Sequence, residues 1–312
     1  MALDGKFIVG DWGTSHLRLR LCNASGEILA TRNGPGVGAL GSDAEPTFNT
    51  LAAPWDDDSE RKCPAVLSGM VGSTLGWREA PSLPCPVRPA EICSRALHLQ
   101  SAGRHIAIAP GLSCENRLGA PDRMRGEETQ ILGALCREPT LERGRHVLCL
   151  PGTHVKWVAL HDGRIADFVT GFSGELFALL CRHSVLLNRE SPPSDPEPSA
   201  FRIGLAESQS HPEVELSHLL FQVRSRQLAG QMDERQAAGF LSGLIVGRDV
   251  SSAARIFAHE LQATSSVYLI GAARLTKLYA DALAPHGLRA IPIDGDAAAV
   301  SGLLAIHKTA FS

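Results

Sequence analysis

Two segments of this chain carry the same pair of residues in the same kind of place. Gly13-Thr14 follows the apolar run Phe7 to Trp12, and Gly152-Thr153 follows His146 to Pro151. A tight glycine-containing turn exposes backbone N–H groups, whose partial positive charge can bind phosphate oxygens without a cationic side chain. Asp11 stands at the first turn, where one carboxylate can hold a hydrated Mg²⁺ against the β and γ phosphates of a nucleotide. A third segment, Arg125-Gly126-Glu127-Glu128-Thr129-Gln130, offers carboxylates at a helix start, a place from which a base can take the proton of an acceptor hydroxyl. Glu127 is the first candidate for that base and Glu128 the second, although acidic residues favour the positive end of any helix. Arg125 either receives a substrate carboxylate in its guanidinium fork or holds Glu128. His154 and Lys156, two residues apart, share a face that could border the phosphates, against the plainer outcome of a solvated lysine. At Gly69-Met70-Val71-Gly72-Ser73 a glycine-rich backbone allows a ligand to come close. Met70 and the nearby Trp77 read equally well as packing residues.

These groups need elements that hold them. Leu17, Leu19 and Leu21 alternate with Arg18 and Arg20, which predicts a half-buried strand after the first turn, and the Asn23 to Gly26 turn leads to a third strand over 27–31. The same device recurs with strands over 146–151, 154–160 and 164–170, the last two joined at Asp162-Gly163. Short apolar strands are expected at 65–68 and 105–109, and a helix over 127–136. Another helix is expected over 173–187, capped by Ser173. The proline-rich stretch 188–200 reads as a surface loop. Two or three helices to about residue 262 follow, then a strand at 267–271, a helix from Ala272, a strand at 286–292 and a last helix from Asp296. The order suits an α/β chain of two related lobes, an N-terminal one over 1–136 and a C-terminal one over 137–312.

Composition narrows the partners. With 312 residues, 44% hydrophobic, the chain can bury a large core in two lobes. A net charge of −3 with the signs interspersed, and only 5% aromatic residues, disfavours nucleic acid as a partner and points to a small molecule. No run of about 18 apolar residues suggests a membrane span, the N-terminus lacks the pattern of a signal peptide, and the eight cysteines contain no C-x-x-C pair. A cytoplasmic protein with reduced thiols is expected. There is no P-loop motif and no G-x-S-x-G elbow of a serine hydrolase. Gly36-Val-Gly38-Ala-Leu-Gly41 matches G-x-G-x-x-G in letters but does not run into an apolar-periodic helix, so it is set aside as a dinucleotide fingerprint.

The ordered segments Phe7 to Arg18, Ser68 to Ser73 with Gly76-Trp77, Met124 to Gln130, Leu150 to Trp157, Thr170 to Glu175 with His183-Ser184, Gly239 to Leu244 and Gly295-Asp296-Ala-Ala resemble those of the 2-dehydro-3-deoxygalactonokinase family and span nearly the whole chain. The resemblance implies the actin-like ATPase superfold, ribonuclease H-like in each lobe, with an active site in the cleft between lobes. It also implies transfer of a phosphoryl group from ATP, with Mg²⁺, to the C6 hydroxyl of 2-dehydro-3-deoxy-D-galactonate in galactonate breakdown. A gluco epimer as substrate, or a non-catalytic sugar-responsive module, are the alternatives; the sequence leaves room for a homo-oligomer. The resemblance puts Asp11, Gly13, Thr14, Gly152 and Thr153 on phosphate positions and Gly271-Ala272 on the adenosine loop; Ser15, Arg18, His154 and Lys156, their neighbours at the two turns, complete the expected nucleotide set. The adenosine loop lacks the paired glycines common in related kinases. The sugar-acid set is Trp12, Gly69, Met70, Val71, Ser73, Trp77 and Arg125. The base is Glu where related kinases often carry Asp, and which of Glu127 and Glu128 acts stays open.

Overall fold

The computed structural model describes residues 5–56, 62–187 and 197–311. It opens with a meander of β1 (Phe7–Trp12), β2 (His16–Cys22) and β3 (Ile28–Pro35), both pairs antiparallel. The alternation in β2 works as its sequence demands for Leu17 and Leu19, which are buried, and for Arg18, which is exposed. Arg20 departs from it and is buried as well, with Asp296 at 3.4 Å. Helix α1 (Ala44–Ala52) follows and buries Ala44, Phe48 and Ala52 at four-residue spacing.

β4 (Ala65–Gly69) then pairs parallel with β1. Next come β5 (Ser82–Pro84), α2 (Pro89–Ser94), β6 (Leu97–Ser101), β7 (Arg104–Ile108), β8 (Gly111–Glu115), β9 (Pro121–Met124) and α3 (Glu127–Arg137). One six-stranded sheet has the order β3-β2-β1-β4-β7-β6, and β5-β8-β9 form a small separate sheet. In β1, residues Phe7 to Gly10 are buried throughout, as expected of a central strand flanked by a parallel neighbour.

The plan repeats with β10 (Arg145–Leu150), β11 (Val155–His161) and β12 (Arg164–Gly171). After them come α4 (Ser173–His183), α5 (Pro198–Ser210), α6 (Leu216–Leu228), α7 (Glu234–Ile256), α8 (Ala258–Thr264), β13 (Ser266–Gly271), α9 (Ala273–Leu283), β14 (Arg289–Asp294) and α10 (Gly295–Ala310). The second sheet runs β12-β11-β10-β13-β14, with β13 parallel to β10. Its order matches that of β3-β2-β1-β4-β7. This duplicated meander extended by parallel strands is the actin-like ATPase fold expected from the sequence.

Two compact units emerge from the contacts: Met1–Arg145 with Leu160–Phe168 and Ile293–Ser312, and His146–Ala159 with Val169–Pro292. The chain therefore does not simply divide near residue 136, because α10 belongs to the first unit. It packs on α3 so closely that a Cβ at Gly133 would lie 1.8 Å from the Ala298 carbonyl oxygen.

Several sequence expectations are corrected. Ser173 is the first helical residue of α4 and Phe172 the cap. That helix stops at His183, four residues early, where the Ser184 hydroxyl donates to the Leu180 carbonyl at 2.5 Å and accepts from Leu186 N–H at 3.1 Å. Residues 188–196 of the expected proline-rich loop lie outside the described part, and its end already belongs to α5, with Pro198 in the first turn. Four helices occupy 198–264, where two or three were expected. Among the described residues no helix is long and apolar enough to cross a membrane.

Candidate active site

In the first unit, the turn Gly13-Thr14-Ser15 joins β1 to β2 and is closed by Gly13 N–H donating to the His16 carbonyl at 2.9 Å. The Gly36 to Gly38 stretch braces it from behind. Its consecutive amides donate to Ser15 O at 3.2 Å, Gly13 O at 3.1 Å and Thr14 O at 2.9 Å. Three carbonyls of the turn are thereby fixed, which fixes the peptide planes they belong to. The exposed Thr14 and Ser15 donate no backbone amide bond among the described residues, so their N–H groups are available to an anion. Gly36 makes this possible, since a Cβ there would sit 2.2 Å from the Thr14 oxygen. The G-x-G-x-x-G letters thus have a use, though not as a dinucleotide fingerprint. A helix does follow them, α1, but the amides that would have to face a pyrophosphate are spent on the neighbouring turn.

Asp11, the last residue but one of β1, lies beside Ser68 of β4, its register partner. Burial pushes its carboxyl above the usual range, opposed by the guanidinium groups of Arg18 and Arg20 and reinforced by Asp296. Arg18 itself is turned to Asp296, with Nη1 and Oδ1 at 2.8 Å.

The start of α3 meets the ends of these strands. Thr129 donates its hydroxyl to the Gly126 carbonyl at 2.6 Å and has Ser68 Oγ at 3.3 Å, and a Cβ on Gly126 would lie 3.2 Å from Gly69 Cα. Here the two glutamates separate. Glu127 keeps partial exposure, and its Oε2 accepts the Arg125 amide at 3.1 Å. Glu128 is fully buried, its Oε2 accepting Gly126 N–H at 2.6 Å while its Oε1 has no hydrogen-bond partner. Burial, helped by the charge of Glu127, pushes the Glu128 carboxyl up to about 8. It is a neutral acid at pH 7, unsuited to accept a proton there.

The expected sugar-acid residues divide. Gly69 and Met70 lie at this junction of β4 and α3, with Met70 partly exposed. Trp12 is fully buried, its indole N–H on the Pro35 carbonyl at 3.1 Å, so its side chain is a core residue and meets no substrate. Val71 is buried likewise. Trp77 packs against the core and donates to Glu45 at 3.2 Å. Ser73 donates its hydroxyl to the Met70 carbonyl at 2.7 Å, shaping the loop. Arg125 donates Nη2 to the Ala80 carbonyl at 3.0 Å, and its guanidinium packs over Gly72 and Gly111 with Nη1 buried and unpartnered.

In the second unit, Gly152-Thr153-His154 forms the turn from β10 to β11. None of these three amides donates a backbone bond among the described residues. The start of α4 sits directly on the turn: Glu175 N–H donates to Thr153 O at 2.9 Å, and a Cβ on Gly174 would lie 2.1 Å from Gly152 O. His154 pairs with Glu175 at 2.6 Å and stacks on Phe172. Lys156 departs from both alternatives weighed for it. It is buried, with Nζ donating to Thr170 Oγ1 at 2.7 Å.

Beside that turn opens a cavity of about 610 Å³. Gly152 and Gly174 border it; Phe177, Phe201 and Ile245 line it with apolar surface; Ala272, Arg274 and Leu278 come from the β13–α9 side. Its size and its largely apolar walls suit a purine nucleoside. Ala272, an expected adenosine residue, is at its edge, and Gly271 neighbours Pro151, where a Cβ would find an ordinary 3.6 Å contact. Paired glycines are therefore not required there. The residues from α4, α5 and α7 were missed in the sequence; only the small pair Ser173-Gly174 at a helix start hinted at them.

The family model described as 2-keto-3-deoxy-galactonokinase matches residues 11–306. A probable 2-dehydro-3-deoxygalactonokinase of Rhizobium meliloti is 35% identical over 315 residues, covering 99% of this chain and 98% of that protein. The 2-dehydro-3-deoxygalactonokinase of Escherichia coli is 34% identical, with 97% and 98% covered. A crystal structure of a putative 2-dehydro-3-deoxygalactonokinase from Sinorhizobium meliloti superposes with a TM-score of 0.86 at 32% identity, covering 98% of this chain and 97% of that one.

Proposed function

Since the chain belongs to the 2-keto-3-deoxy-galactonokinase family and is a sugar-acid kinase, we propose that it moves the γ-phosphoryl group of ATP to the C6 hydroxyl of 2-dehydro-3-deoxy-D-galactonate. The product is 2-dehydro-3-deoxy-6-phosphogalactonate, made in galactonate catabolism in the cytoplasm. One observation supports the nucleotide half above all: the 610 Å³ cavity is bordered by Pro151 and Gly152, where the Gly152-Thr153 turn begins, and the amides of that turn have no backbone acceptor among the described residues. The nucleoside occupies the apolar part and the phosphates lie toward the turn, with Arg274 and Lys277 as cations at the rim.

In the first unit, the sugar acid lies against Gly69 and Met70, and Glu127 receives the proton of the attacking hydroxyl. Glu127 has the exposure this role needs, and Glu128 does not. The Thr14 and Ser15 amides offer dipoles to phosphate oxygens at no cost in reorganisation. Asp11 fits a magnesium ion: it is a hard oxygen donor beside those amides, and Mg²⁺ favours one or two carboxylates plus phosphate and water over a protein cage. When bound there, Mg²⁺ would neutralise charge on the phosphate chain. Release of ADP dependent on the sugar acid, measured by a coupled assay, tests the activity. Lack of release with this acid and with its gluco epimer would refute it. Ala272→Trp, which fills the cavity edge, tests the nucleotide site and should abolish ATP binding.

A further inference from the structure

Asp249 lies on α7, two turns beyond the cavity residue Ser242. Its Oδ2 accepts the Tyr279 hydroxyl from α9 at 2.6 Å, and its Oδ1 accepts the Trp157 indole N–H from β11 at 3.1 Å. The Ser173 hydroxyl, in the first turn of α4, bonds the same carboxylate. Gly171 lets the carboxylate close against the β12–α4 junction, since a Cβ there would lie 3.0 Å from Oδ1. The Trp157 and Tyr279 rings stand 6.2 Å apart. Indole N–H can only donate, and an ionised carboxylate can accept from all three partners at once. Burial pushes the Asp249 carboxyl up, and the three donors pull it back.

The connection reaches the phosphate end. Ser173 precedes Gly174 and Glu175, the two residues that sit on the Gly152-Thr153 turn. Tyr279 and Ser173 both line the cavity, from α9 and α4. A single side chain outside the turns thus ties together three of the elements around the nucleotide.

We propose that Asp249 is the positioning residue of the nucleotide cavity, holding the start of α4, and through it the Gly152-Thr153 turn, in register with α9. The proposal rests on the placement of ATP in this cavity. It implies that losing the network misplaces the turn amides more than the nucleoside walls.

The test is to measure ATP and adenosine binding by calorimetry, and the KM for each substrate, for Asp249→Asn, Tyr279→Phe, Trp157→Phe and Ala272→Trp. Asp249→Asn should weaken ATP about 10- to 100-fold and Tyr279→Phe about 3- to 30-fold, as loss of hydrogen bonds to a charged group predicts. In Asp249→Asn, whose side chain does not line the cavity, adenosine binding and the sugar-acid KM should stay within about two-fold of wild type. If Asp249→Asn does not fold, the two aromatic variants decide, because each removes one donor and keeps a ring. Equal weakening of ATP and adenosine, or of both substrate KM values, would show a general structural role and overturn the proposal. So would unchanged ATP binding in the Asp249 and Tyr279 variants alongside its loss in Ala272→Trp. Unchanged ATP binding in Ala272→Trp would remove the cavity assignment itself, and the proposal with it.

Discussion

Replacing Gly36 with alanine adds one methyl group far from any reacting atom in the chain sequence. Its Cβ would lie 2.2 Å from the Thr14 oxygen and 2.4 Å from Ser15 C, where carbon and oxygen need more than about 3 Å. The neighbours are backbone, so no side chain can swing aside. Either the Gly13 to Ser15 turn or the Gly36 to Gly38 stretch must retreat by about 1 Å, and the three amide bonds that brace the turn lengthen or break. A misplacement of about 1 Å in a catalytic geometry costs on the order of 10²-fold, while overpacking costs about 1–3 kcal/mol of stability. Gly36→Ala should therefore remain folded, show a modestly lower melting temperature, and lose about 100-fold in kcat/KM for ATP. Gly103→Ala is the control. It has a φ of +80° but nothing within 4 Å of its Cβ, so it should cost about 1 kcal/mol from backbone strain alone and leave kcat/KM unchanged. Steady-state kinetics with thermal unfolding on both variants checks this. Wild-type kcat/KM in a folded Gly36→Ala protein would refute the claim that this brace sets the turn.

Other outcomes follow from the same geometry. Glu127→Gln should lower kcat by about 10²–10⁴-fold with ATP affinity intact; near-normal turnover would remove it as the base. Burial pushes the Glu128 carboxyl up to about 8 in the folded protein, from an ordinary value of 4.5. Between those values the unfolded state binds fewer protons, so this group makes stability fall as pH rises from about 4.5 to 8, by at most about 1.4 kcal/mol per pH unit. Glu128→Gln should then gain stability relative to wild type across that window in denaturant titrations, with a constant difference counting against it. Trp12→Ala should cost about 3–5 kcal/mol of stability, as its full burial requires; a stable variant with only a raised sugar-acid KM would restore it as a substrate contact.

Local chemistry made much of this protein legible in its sequence. The meanders could be read because side-chain alternation and turn residues act over a few positions, as in Leu17, Leu19 and the Asp162-Gly163 turn. The two Gly-Thr turns, Asp11 and the Glu127-Glu128 helix start were visible for the same reason. What only the tertiary structure decided depends on residues distant in the chain. Burial separates Glu127 from Glu128, neighbours of one chemical type, because α3 presents them to different surroundings. The Gly36 to Gly38 amides found their acceptors some 20 residues away in the turn they brace. Trp12 and Lys156 looked available but were enclosed by strands and by Thr170. The cavity walls came from α4, α5, α7 and α9, whose apolar residues are indistinguishable in sequence from ordinary core. Spacing along a chain determines which groups share a strand or helix face, whereas solvent access and hydrogen-bond partners arise only when separate elements pack together.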